Sequence, residues 1–99
     1  MSSISLPRPF QYKRWGLKGE VIDQVEYLEL FPTMDFLNVI QLIKLKDGTE
    51  MIRFGYYTRP HGSKEKWRYG SQMTLTMEKN TLKKMFKKAL NKKWFKDLF

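Results

Sequence analysis

The stretch Leu37-Asn-Val-Ile-Gln-Leu-Ile-Lys-Leu-Lys46, then Asp47-Gly48, then Glu50-Met-Ile-Arg-Phe-Gly-Tyr-Tyr-Thr-Arg59, decides the fold. Two runs rich in β-branched and aromatic residues flank Asp-Gly, a turn pair in which glycine tolerates positive φ, so the segment reads as a β-hairpin. Period two on the second arm puts Ile52, Phe54, Tyr56 and Thr58 on one face and Met51, Arg53, Gly55, Tyr57 and Arg59 on the other. One face is expected to be core. The other is expected to present Arg53, Tyr57 and Arg59 around a bare glycine.

Upstream, residues 1–9 read as a flexible arm, because serines and two prolines resist regular structure. Phe10 to Leu17 alternates rings and cations and suits a short strand, with Gly16 and Gly19 marking a turn. Glu20 to Phe31 is ambiguous. As a helix it puts Val21, Val25 and Leu28 on one face; as a strand it aligns Val21, Val25, Tyr27 and Phe31, with Asp23 and Glu29 spoiling the pattern. Its β-branched content and its neighbours favour a strand, and Pro32 ends it.

Downstream, Pro60 to Lys66 is a polar loop and Trp67 to Leu75 a further strand. Thr76 suits an N-cap, and Leu82, Met85, Phe86, Ala89 and Leu90 form one stripe, which predicts a helix to about Leu90 with Lys83, Lys84, Lys87 and Lys88 opposite. Continuing that helix would drive Lys93 into the stripe, so a break near Asn91 is expected. Residues 92–99, with Trp94, Phe95, Leu98 and Phe99, would then form a separate docking segment. The expected architecture is a single α+β domain over 1–99: an antiparallel β meander of about four strands with one C-terminal amphipathic helix.

Ninety-nine residues, 41% hydrophobic and 29% charged, suffice for one modest core. The chain lacks cysteine, which removes disulfides and thiolate chemistry. Its most apolar run, Phe36 to Leu45, is too short to cross a bilayer, so a cytoplasmic protein without a membrane partner is expected. The lone histidine, His61, lies in the polar loop with no second ligand nearby, and no phosphate-cradling Gly-rich loop is present. Glu20, Asp23, Glu26 and Glu29 have a spacing that suits a solvated acidic face better than a metal site. No catalytic residue, metal or cofactor is expected, and the chain does not read as an enzyme.

The charge is lopsided. Residues 1–50 hold six Lys/Arg and seven Asp/Glu, whereas residues 51–99 hold thirteen and three. In the second half the cations are interleaved with rings, as a single-stranded nucleic acid requires: counter-charge for phosphates and platforms for unstacked bases. The candidate site is Arg53, Tyr57 and Arg59 on one strand, Trp67, Arg68 and Tyr69 on the next, and Lys64 and Lys66 in the intervening loop.

The segments Met51-Ile-Arg-Phe-Gly-Tyr-Tyr-Thr-Arg59, Pro60-His-Gly-Ser-Lys-Glu-Lys66 and Trp67-Arg-Tyr-Gly-Ser-Gln-Met-Thr-Leu-Thr76, followed by the helix, resemble the transcriptional positive-cofactor-four family of single-stranded DNA-binding proteins. The likeness spans about residues 37–91 and lies in order and composition; the family's basic strand is matched loosely by Arg68-Tyr69-Gly70-Ser71, and Leu82 replaces the aromatic expected early in the helix. The resemblance implies a homodimer that grips single-stranded DNA or RNA with low sequence preference, with Arg53, Tyr57, Lys66, Trp67 and Arg68 in the binding role. The competing expectation is an inhibitor or accessory subunit that meets an acidic protein partner through the basic face, anchored by the aromatic C-terminus.

Overall fold

The computed structural model describes residues 4–70 and 78–99. The elements are β1 (Arg8–Tyr12), a 3-10 turn (Lys13–Trp15), β2 (Leu17–Leu30), β3 (Met34–Leu45), β4 (Glu50–Pro60), β5 (Arg68–Tyr69), α1 (Lys79–Ala89) and α2 (Lys93–Lys96). Five strands form one antiparallel sheet in sequential order, one strand more than about four. Of the expected Trp67–Leu75 strand only Arg68–Tyr69 is strand, Trp67 and Gly70 are irregular, and residues 71–75 and the Thr76 cap lie outside the described residues.

The β3–β4 hairpin turns at Asp47-Gly48 as expected. Gly48 has φ +92, and the Asp47 carboxylate accepts the Thr49 backbone N–H at 2.9 Å. The segment 20–31 is a strand, and its irregular pattern has a local cause. The register slips between Val21 and Asp23, a β-bulge that adds one residue on β2. Val21 therefore shares the face of Ile43, while Asp23, Val25, Tyr27 and Glu29 lie on the opposite face.

The sheet curls into a half-barrel. Two strands separate β1 from β4 in the sheet, yet the Arg8 guanidinium sits 5.4 Å over the Tyr57 ring and Arg53 sits 5.1 Å over Phe10. Gly19 makes the tight coil possible, since a Cβ there would lie 2.2 Å from the Lys44 carbonyl oxygen. Curling gives the chain two small cores. The inner one gathers Ile4, Leu37, Val39, Tyr57 and Trp67, so the expected flexible arm contributes a core residue at Ile4.

The outer core lies under the helices and gathers Val25, Ile40, Met85, Ala89 and Phe95. Only the Thr81, Met85 and Ala89 side of α1 is buried. Leu82 and Leu90, expected in the core, remain about half exposed, as does Phe54 on β4, because α1 sits mainly over β2 and reaches β4 only at its margin, where Phe86 meets Phe54 at 6.3 Å and Ile52 packs against the core. The chain turns after α1 at residues 90–92, and α2 folds back so that Phe95 enters the same core.

The expected solvated acidic face holds for Glu20, which is exposed, but not for Asp23 and Glu29. The Asp23 carboxylate accepts the Trp94 indole N–H at 2.9 Å and Lys92 Nζ at 3.2 Å. Glu29 accepts the Asn38 amide and the Thr81 hydroxyl, and Lys88 Nζ donates to the Glu26 carbonyl oxygen at 2.9 Å. Part of the charge imbalance is therefore answered within the chain, with acidic β2 docking the lysine-rich C-terminus. Among the described residues no helix is long and apolar enough to cross a membrane, and no cluster of His, Cys, Asp or Glu could hold a metal ion.

Candidate nucleic-acid interface

Period two correctly groups Arg53, Tyr57 and Arg59, but their face is the inner one. Tyr57 is 1% exposed and Trp67 9%, so neither ring presents a face to solvent. Tyr57 pairs across the ladder with Leu37 and Tyr69, packs edge-on against Tyr69 at 5.2 Å, and receives a hydrogen bond from Gln41 Nε2 on its oxygen at 3.1 Å. The bare patch expected at Gly55 is occupied from within the chain. A Cβ there would strike the Tyr69 ring, its nearest atom the hydroxyl oxygen at 2.2 Å.

Each arginine of this face is stacked on a ring. Arg53 lies 4.1 Å over Tyr69 as well as over Phe10, and its Nε donates to Gln41 Oε1 at 2.8 Å. Arg59 lies 4.2 Å over Trp67. Such pairs hold a guanidinium in place while leaving its charge intact. Burial pushes the Tyr69 hydroxyl above the ordinary tyrosine range, with Arg53 opposing it, so the ring stays neutral beside the cation.

Asp35 is buried at the start of β3 and is met by two side chains of β4 and the loop after it. His61 Nδ1–H donates to its carboxylate at 2.6 Å and Arg59 Nε at 3.3 Å. The His61 hydrogen bond, first, and the Arg59 bond hold the Asp35 carboxyl below the usual range against the opposing effect of burial. A depressed folded pKa stabilises the fold fully above the unfolded value of about 3.9 and is lost as pH falls below it. The urea midpoint is accordingly expected to drop on acidification below about pH 4. Asp35→Asn should have a lower midpoint at neutral pH and a shallower acid fall, whereas an unchanged profile would remove Asp35 from this role. Thus His61 acts as a tether for the 61–67 loop.

The predicted site divides along the open seam of the half-barrel, where the N-terminal arm and β1 face β4, β5 and the loop between them. At one end Arg59, Lys64, Lys66 and Trp67 line a groove of about 540 Å³ with Ile4 and Arg8. Arg59 is already paired with Asp35, so the groove offers the charge of Arg8, Lys64 and Lys66 against the single carboxylate of Glu65. At the other end Arg53 and Tyr69 line a cleft of about 640 Å³ with Phe10, Tyr12, Trp15 and Phe54. Arg68 belongs to neither: it pairs with Thr58 on the outer face and is exposed.

Sequence reasoning missed Arg8, Tyr12 and Trp15. Tyr12 and Trp15 were signalled by the ring and cation alternation over Phe10–Trp15, which a strand assignment alone does not turn into a site, whereas Arg8 lay in the stretch read as a flexible arm. Of the expected C-terminal anchors, Phe95 is buried in the chain's own core and Trp94 bonds Asp23, leaving Leu98 and Phe99 exposed. Comparison of the chain with protein-family models, with curated proteins and with solved structures found no match.

Proposed function

We propose that the chain is a single-stranded nucleic-acid-binding module of low sequence specificity, and that the strand lies along the seam instead of on an open sheet face. The observation that carries this reading is the pairing of the two ends along β1: Arg8 and Pro9 line a groove with Lys64 and Lys66, and Phe10 next in the strand lines a cleft walled by rings around Arg53. Arg8 and Phe10 are two residues apart on one face of β1, about 7 Å, close to the spacing of successive nucleotides in an extended strand. Cations then meet phosphates while rings meet unstacked bases, and a duplex, whose bases are already stacked, gains only the first contact.

The order of strand, basic loop, strand and helix that carries the positive-cofactor-four resemblance supports the same reading, as does the formal net charge of +9. A homodimer, which the resemblance implies, belongs to the proposal and is read by light scattering. Equilibrium anisotropy of a labelled oligothymidylate, competed with unlabelled single strand or duplex of equal length, tests the function. Single strand should displace the probe at lower concentration than duplex. Equal displacement by both would reduce the chain to a general polyanion binder.

A further inference from the structure

Trp15 is the most exposed tryptophan of the chain, at 67%, and Tyr12 beside it is 42% exposed. Their ring centroids are 4.9 Å apart with a tilt of 55°. With Phe54, 45% exposed in the same cleft, the two rings make a contiguous exposed apolar patch of the kind that marks an interaction site.

The turn that carries Trp15 is fixed from both sides. Tyr12 closes the β1–β2 ladder opposite Leu17, and Lys13–Trp15 form a single 3-10 turn between them. Gly16 ends the turn at φ +63, a conformation that favours glycine, and its N–H donates to the Lys13 carbonyl at 3.2 Å. The indole is thus held out before any ligand arrives, which reduces the ordering cost of binding.

Its surroundings define the ligand. Trp15 and Tyr12 line the ring-walled cleft with Phe10, Phe54, Tyr69 and Arg53, and no Asp or Glu is among the described lining residues. Lys13 and Arg14, both exposed, immediately precede Trp15 in the turn. A flat, neutral π-surface with cations beside it suits a group that is aromatic and joined to an anion.

We infer that Trp15, backed by Tyr12, is a stacking station for one unpaired nucleobase, with Lys13 and Arg14 meeting the phosphates on either side. This rests on the single-strand reading above and gives it its preference for unpaired bases. The station takes any base, since every base has a π-face and no hydrogen-bond readout is required.

The test compares a ten-nucleotide oligothymidylate with an abasic phosphodiester of equal length, using wild type, Trp15→Ala, Trp15→Phe and the Lys64→Glu/Lys66→Glu double variant. Because Trp15 is exposed, its replacement leaves both cores intact. Trp15→Ala is expected to bind oligothymidylate about 10-fold more weakly, and the abasic chain as wild type does. Trp15→Phe should recover most of the loss. Binding of both oligomers by Trp15→Ala at wild-type strength, with the double lysine variant still impaired, would overturn the stacking station and leave the seam reading standing. Failure of wild type to bind either oligomer would overturn both, and an equal loss on both oligomers would make Trp15 a phosphate-end or folding residue and overturn the station.

Discussion

Tyr57→Ala is expected to remove a large part of the protein's stability. Tyr57 is among the largest fully buried side chains, it touches the Leu37, Val39 and Trp67 core, and Arg8 and Tyr69 pack on its ring. Truncating a buried aromatic to alanine costs about 3–5 kcal/mol, because transfer energy is lost and a cavity remains. Domains of this size hold only about 5–15 kcal/mol in total. The substitution also removes the oxygen that accepts Gln41 Nε2, in a network that runs from Arg53 through Gln41 to Gln24.

Tyr57→Phe separates the two losses. It keeps the ring and gives up one hydrogen bond, at a cost of about 1 kcal/mol. Chemical denaturation followed by circular dichroism reads both variants. Under the seam account Tyr57→Phe binds oligothymidylate as wild type does. A folded Tyr57→Ala with selectively weakened binding would instead return Tyr57 to the ligand-facing role that its sequence position suggests.

The second large effect concerns binding with no change in fold. Lys64→Glu/Lys66→Glu reverses two exposed cations in the loop that His61 tethers to Asp35. Neither lysine contributes to a core, so thermal stability should hold within about 0.5 kcal/mol. Affinity for a single strand at low salt should fall on the order of 10- to 100-fold, and the salt slope should lose about 1.4, or 0.7 for each lost phosphate contact. The loss should be similar for every sequence, since phosphate contacts position a strand without reading it. Wild-type affinity in this variant would remove the Arg8–Lys64–Lys66 groove from the interface.

Much of the architecture was legible because its signals are local. Asp47-Gly48 fixes the central hairpin, and the alternation over 50–59 sorts β4 into two faces correctly. The Lys93 argument anticipates the turn that separates α1 from α2. What escaped is set by long-range geometry. Bulging at Ile22 moves Val21 to the other face of β2, so Asp23 and Glu29 look misplaced in a regular strand although they are the residues that hold the helices.

Likewise, no periodicity tells which face of β4 lies inside a curled sheet. Arginines between rings look like an exposed platform in sequence, yet Arg53 and Arg59 stack on Tyr69 and Trp67 of the same chain. The helical stripe was over-read for a related reason. A sheet curled away from α1 covers Met85 and Ala89 but not Leu82 and Leu90. Of the candidate site, Lys64, Lys66 and Arg53 keep a place on the seam, Tyr57 and Trp67 become its structural wall, and Arg68 falls outside it.

The central claim is that a single strand lies along the seam with its phosphates on a small set of cations. The measurement closest to that claim is the affinity of the wild-type protein for oligothymidylate across a series of salt concentrations. With Arg8, Lys64 and Lys66 at one end and Lys13 and Arg14 at the other, three to five phosphates are neutralised, which predicts a slope of log K against log salt of about −2 to −3.5. A slope near zero, or no binding tighter than about 10 µM at the lowest salt, would contradict the account.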